Sequence, residues 1–360
     1  DDLVQVTFID SSKQARQVEG LILVKAVDGG ILLEGRDGRL WNVTPQRLNN
    51  LEKTGKPFSP LSAEELGQQL QAEFGERFSI ITTRHFVICS SADPRYTRWC
   101  GRLFERLLTS FRKQWRRKET DLNPPGLPLP AIVFSNRQEF ADYAAQDAGA
   151  ETAASAKGYY SIKSNRMVLY DLTAELKGSR PKTPAEINTR LAASAFNVAT
   201  IVHEATHQIA FNTGMHIRYA DNPLWLTEGM AMYFETPDLK SKIGWKTAGK
   251  VNGNRNRRFR EFLANRRGPD SLSTLIQNDK RFTGENTISD AYAEAWALSH
   301  YLIRTKRKAY LDYLERISSK PRLIWDKPEQ RLAEFKAAFG EDLEKLDRKF
   351  LRYMKRLRVR

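Results

Sequence analysis

The apolar residues of this 360-residue chain change their rhythm once, and that change limits the folds open to it. Up to about residue 180 they come mostly in short runs cut by turn residues. From Pro181 onward they recur every three or four positions, the period of a helix face. A β-rich front followed by an α-rich back predicts an α+β fold, with helices packed on one side of a mixed sheet.

In the front part, "GLILVKAVDGGILLEGRDGRLWNV" offers three apolar strands split by "DGG" and "RDGR", both able to supply the positive φ of hairpin turns. The breaker "TGKPFSP" predicts a boundary near residues 56–60. Residues 1–58 therefore read as a small β-rich module and residues 59–360 as the main domain. There a short helix, "SAEELGQQLQAEF", precedes strands around 78–81 and 86–90. Next, Tyr96, Trp99, Leu103, Leu107, Phe111 and Trp115 recur at helical spacing and predict one buried stripe. "AIVF" reads as a buried strand, "SNRQEFADYAA" as a capped helix, and "GYYSIKSNRMVLYDL" as a hairpin turning at Ser164 and Asn165. Helices are expected over 197–211, 223–234 and 290–304, with one or two more near the C-terminus.

With 41% hydrophobic residues the chain can bury a sizeable core. It holds no unbroken apolar run of about eighteen residues, so no membrane-spanning segment is expected. The chain starts at Asp1 rather than Met, which reads as trimming, by signal cleavage or by design. Two cysteines, Cys89 and Cys100, are too few for a disulfide scaffold or a cysteine-rich zinc module; they either pair once or remain free thiols. A net charge of +15 concentrates in "FRKQWRRK", "NRNRRFREFLANRR" and "DRKFLRYMKRLRVR". Such runs can contact polyanions or lie on solvated helix faces. No zinc-finger spacing or RNA-binding aromatic signature accompanies them, which argues against specific nucleic-acid recognition.

The chemistry concentrates in "IVHEATHQIAFNTG". Residues four apart on a helix share a face, so the imidazoles of His203 and His207 can reach one ion, while Glu204 flanks them where it can take a proton from a water. A catalytic zinc needs a third protein ligand and an open position. Downstream, "NPLWLTEGMAMYFE" predicts a helix with Asn222 as N-cap and Pro223 at its first position. Glu228 stands among Trp225, Leu226, Met230, Ala231 and Met232, where a bare buried carboxylate costs several kcal/mol and a cation would satisfy it.

"HEATH", followed after twenty residues by Glu228 in "WLTEGMAMYFE", resembles the gluzincin zinc metallopeptidases. It is similar, more narrowly, to the bacterial peptidase MA-like family, long described as a domain of unknown function, with its "HEATHQ" and "WLxEGxAxYFE" segments. The resemblance covers roughly residues 75–355 and is specific over 203–235. It implies a zincin-like fold for the main domain, His203, His207 and Glu228 as zinc ligands, and Glu204 as general base. It also implies an oxyanion donor beyond the third ligand. Tyr292 is the candidate and His300 the reserve, although both also suit ordinary helix packing. "GYYSIK" or "RMVLYDL" would be the edge strand pairing with an extended substrate. Glu235 either orients His207 or is an exposed acid, and His85 and His216 read as structural.

The "GxMEN" segment that aminopeptidases of this group use to hold a free amine is absent from the sequence, which favours endopeptidase action. The expectation is therefore a secreted or periplasmic zinc peptidase acting on peptide or protein chains. The alternative is a zinc-binding domain of little or no activity that holds cell-envelope or polyanionic material through its basic faces.

Overall fold

Turn chemistry builds the first sheet. Gly29 and Gly38, at φ 92° and 79°, take the left-handed conformation that side chains resist, and each closes a hairpin. The resulting strands are β1 (Asp2–Ile9), β2 (Ala15–Lys25), β3 (Ile31–Gly35), β4 (Leu40–Val43) and β5 (Leu48–Pro57), in spatial order β4-β3-β2-β1-β5 with antiparallel neighbours. One face gathers Val4, Val6, Phe8, Ile31, Leu33 and Val43 into a core. The structure, a computed structural model, describes residues 2–116, 122–174, 181–192, 195–239, 241 and 244–358, with backbone alone for 195–197. Arg117 and Lys118 of the first basic run and Val359 and Arg360 of the third lie outside the described residues.

A second sheet comes next: β6 (Ser79–Thr82), β7 (Phe86–Ser90), β8 (Leu129–Phe134), β9 (Gly158–Tyr160) and β10 (Met167–Tyr170), in order β6-β7-β8-β10-β9. Its inner pairs β7–β8 and β8–β10 are parallel and both outer pairs antiparallel, so the sheet is mixed. β7, β8 and β10 are buried at every residue, which is why they read as unbroken apolar runs. The β9–β10 hairpin turns through Ser164 and Asn165, the latter at φ 60°. Helices α1 (Ala63–Phe74), α2 (Pro94–Trp115), α3 (Arg137–Asp147), α4 (Ala150–Ser155) and α5 (Pro184–Ala192) accompany it. A capping box between Ser62 and Glu65 starts α1, and the expected stripe from Tyr96 to Trp115 is buried along α2. Cys89 and Cys100 are free and buried; burial pushes the Cys89 thiol up to about 12.

Compactness divides the chain into Asp1–Glu105 with Pro125–Ala193, and Arg106–Pro124 with Ser194–Arg360. Both sheets fall in the first unit. Leu40 N–H donates to Lys163 O, Leu61 N–H to Arg36 O, and Gln69 to Asp37. These bonds tie the first module to α1 and to the β9–β10 hairpin.

The second unit is helical: the end of α2, then α6 (Ala195–Asn212), α7 (Leu224–Phe234), α8 (Gly253–Asn265), α9 (Ser271–Gln277), α10 (Ile288–Thr305), α11 (Arg307–Ser318), α12 (Pro328–Phe339) and α13 (Leu343–Arg356). The chain is thus α+β, with a β-rich N-terminal module, a mixed sheet and a helical back half. α10 is buried on nearly all sides and packs against α7, α8, α11 and α13. Trp225 of α7 stacks on Tyr313 of α11 at 5.8 Å and meets Phe335 of α12 edge-on.

Buried ion pairs brace this unit. Arg331 of α12 holds Asp221 and Asp279, and Lys320 holds Asp221, Asp326 and Glu334. Glu294 of α10, fully buried, is met by Arg267, Arg281 and Ser271, and Arg267 also grips Asp347 of α13. A carboxylate so enclosed is tolerated because several donors surround it. Among the described residues no helix is long and apolar enough to cross a membrane.

Candidate metal centre

On α6, Val198, Ile201, Val202, Ala205 and Ile209 are buried, and this apolar face fixes the helix rotation. It leaves His203 and His207 one turn apart with ring centroids 4.7 Å from each other and Nε2 atoms separated by 3.0 Å. Glu228 of α7 completes the group: its Oε2 lies 3.0 Å from His203 Nε2 and its Oε1 3.4 Å from His207 Nε2. One donor atom from each of the three falls within 4.8 Å of the others, close enough to hold a metal ion.

Two features of α7 set Glu228 in place. Its neighbour Gly229 lies against α10 so closely that a methyl group there would collide with Ser299 Oγ and come within 2.8 Å of Ala295 O. Glycine is therefore what lets the two helices approach. The start of α7 is also set from a distance. The helix begins at Leu224, not Pro223, and the Leu224 N–H donates to Asp279 Oδ1 at 3.0 Å. Asn222 is not the cap, because its amide is occupied closing the preceding loop on Ile217 O and Ala220 O.

Glu235, just past the end of α7, orients His203 rather than His207. His203 Nδ1 lies 2.8 Å from Glu235 Oε1, whose other oxygen accepts from Asn252 Nδ2 at 2.8 Å, and Arg255 donates to both oxygens at 3.0 and 3.3 Å. With Nδ1 committed to a carboxylate, Nε2 is the ring nitrogen of His203 that faces Glu228 and His207, the arrangement of metal-ligating histidines generally. Burial opposes charge on all three groups, yet their mutual contacts prevail. His203 is raised well above its ordinary pKa by Glu228 and Glu235, Glu228 is held below the carboxylate range by His207 and His203, and Glu235 falls to about 2.

A cavity of about 580 Å³ opens beside His203, walled by Glu204, Glu235, Arg255, Arg258 and Tyr292 among others. Tyr292 of α10 reaches it with Phe282 edge-on at 5.4 Å and the Arg255 guanidinium 5.5 Å from its ring. The negative charge of Glu228, with burial, holds its phenol protonated.

The other histidines lie elsewhere. His300, two turns along α10 from Tyr292, is buried between Tyr353, whose hydroxyl is 3.0 Å from Nδ1, and Gly249 O, 3.3 Å from Nε2. His85 pairs with Glu105 at 2.8 Å in the first unit. His216 is buried against Phe211, with both ring nitrogens unbonded among the described residues, and burial lowers its pKa to about 3. Sequence reasoning missed Asn252, Arg255 and Asp279. Asn252 carried a signal, being an N-cap residue before α8; the other two are known only from the folded chain.

The second basic run proves to be α8 and the turn after it. Arg255 pairs with Glu235, Arg258 and Arg266 with Asp290, and Arg267 with Glu294 and Asp347, so much of its charge serves internal contacts.

Compared with known proteins, residues 197–323 match the model of a family described as a protein of unknown function, DUF1570, a stretch that contains His203, His207, Glu228, Glu235 and Tyr292. No curated protein matches the chain.

Proposed function

We propose that this protein is a zinc-dependent peptidase. The observation that carries the reading is the convergence of two imidazole Nε2 atoms and one carboxylate at 3.0–3.4 Å, with His203 oriented by Glu235 behind it. A tetrahedral ion with bonds of about 2.0–2.1 Å has ligand-to-ligand edges of roughly 3.3–3.4 Å, so the donor spacing suits zinc after small adjustment. Two nitrogens and one oxygen are also a donor set that zinc accepts while keeping one position open.

Zinc bound there supplies Lewis acidity, making a water more acidic and a peptide carbonyl more electrophilic. Glu204, half-buried on the cavity wall, takes the water's proton on its carboxylate and passes it to the leaving amine. Tyr292, held protonated, donates its hydroxyl hydrogen to the carbonyl oxygen as negative charge grows there, a contact of the kind worth about 3 kcal/mol. The HEATH and WLTEGMAMYFE segments, similar to gluzincins, favour the same roles, and the absence of an amine-anchoring "GxMEN" segment argues against removal of N-terminal residues. An extracytoplasmic location belongs to this reading.

The test pairs metal analysis with a peptide-library cleavage assay on wild type, Glu204→Gln and Tyr292→Phe. Zinc near one equivalent in all three is expected, with cleavage reduced by about 10²–10⁴-fold in the Gln variant. Zinc without cleavage by any of them would turn the reading to a metal-holding binding domain, and absence of bound zinc would end it.

A further inference from the structure

The cavity beside His203 has an uneven charge balance. Arg255 is neutralised by Glu235, which is itself occupied by His203 and Asn252. Asp290, at the start of α10, faces two guanidinium groups. Arg266 takes both of its oxygens, at 2.9 and 3.0 Å, while Arg258 Nε stands 2.7 Å from Oδ1. One negative charge thus meets two positive ones, and Arg258, 39% exposed and on the cavity wall, is the surplus. Its contact with Asp290 is a charge pair by distance alone: among the described residues neither Nε nor either terminal nitrogen of Arg258 makes a hydrogen bond. Gly253 and Asn254 line the same wall; their backbone N–H groups belong to the first turn of α8 and have no acceptor within the helix.

We propose that Arg258 makes this cavity a carboxylate-recognising subsite, so that the enzyme prefers peptides carrying an acidic side chain or a free C-terminal carboxylate close to the bond it cuts. The inference rests on the peptidase reading and adds its substrate class. The cavity that holds Glu204 and Tyr292 also holds a half-exposed cation with no hydrogen bond among the described residues, so a carboxylate of the same bound chain can reach it. The planar fork of an arginine suits a carboxylate well. The cavity's own acids do not fill this role, since Glu235 is committed behind His203 and Glu204 to proton transfer.

The experiment uses two matched pairs of fluorogenic peptides, one differing Glu against Gln at a single position and one differing free acid against amide at the C-terminus. Wild-type kcat/KM is expected to be about tenfold higher for the carboxylate-bearing member of one pair, and which pair responds identifies the source. Arg258→Gln should bring that ratio to about one, Arg258→Lys, which keeps the charge but not the fork, should keep only part of it, and rising ionic strength should shrink it in the wild type, which decides the matter even if the Gln variant folds poorly. Binding of the same peptides to Glu204→Gln, with and without Arg258→Gln, is read by fluorescence anisotropy independently of cleavage. Peptides cut with ratios near one in both pairs overturn the subsite and leave the peptidase reading intact. Arg258-dependent binding of the carboxylate forms without any cleavage keeps the subsite and sinks the peptidase. Neither preference nor Arg258-dependent binding overturns the subsite whatever is cut.

Discussion

Replacing Glu235 by Gln changes one atom and should loosen the metal centre without touching a ligand. In the native arrangement Oε1 accepts from His203 Nδ1 at 2.8 Å and from Arg255 Nη2 at 3.0 Å, and Oε2 accepts from Asn252 at 2.8 Å and Arg255 Nε at 3.3 Å. Every neighbour is a donor. A carboxamide has only one oxygen, so its NH2 must face either Asn252 and Arg255 Nε or His203 Nδ1–H and Arg255 Nη2. In both orientations His203 loses the anion that makes its Nε2 basic. Loss of such a partner typically weakens metal binding by about 10–100-fold, or roughly 1.4–2.7 kcal/mol. Because Glu235 is held near pKa 2, it stays ionised throughout the working pH range, and protonation does not mimic the substitution there. The assay is competition with a chromogenic chelator at pH 7.5, alongside urea unfolding of the metal-free forms to separate affinity from folding. A Gln variant that binds metal within twofold of wild type would show that Glu235 serves only as a brace for Arg255.

Two further outcomes are expected. His300 is neutral in the fold, its Nε2–H donating to Gly249 O while Nδ1 accepts from the Tyr353 hydroxyl, and burial with the nearby Arg304 charge lowers its pKa to about 4. Its folded pKa lies below the unfolded value near 6.5, so its contribution is complete above pH 6.5 and is lost as pH falls toward 4, about 3 kcal/mol in all. Urea midpoints at pH 7.5 and 5 should fall further in wild type than in His300→Gln, and equal falls contradict the neutral assignment. Gly229→Ala should cost about 1–3 kcal/mol, since the added methyl meets Ser299 and Ala295 of α10, and metal affinity should drop with it because Glu228 is the next residue. An unchanged melting temperature would mean that the α7–α10 approach is not tight.

What the sequence made legible is what a single helix can express. The fourfold spacing of His203 and His207 and the lone acid in an apolar helix needed no tertiary information, and the structure brings those three side chains together. The partner of Glu235 is not legible in this way, because spacing along α7 does not say which imidazole the end of that helix meets. Asn222 looks like a cap by residue type and position, but a loop closure takes its amide and Asp279, 55 residues away from Leu224, takes the role. The run "NRNRRFREFLANRR" gives charge without partners; Glu235, Asp290, Glu294 and Asp347 are scattered along the sequence and converge only in the fold. The first module reads as three strands because β1 and β5 lie outside the turn-rich stretch 20–43, yet they pair with each other across forty residues or more.

The anchoring of Asp279 by Arg331 has a practical corollary for anyone trimming this chain. Cutting after α11 would discard Arg331, Phe335, Asp347 and Tyr353, which lie outside the metal group. Asp221, Asp279, Trp225 and His300 would lose those partners, and Arg267 would keep only Glu294. The His-His-Glu group ends at residue 228, but the contacts that brace the helices around it run on into the last helix.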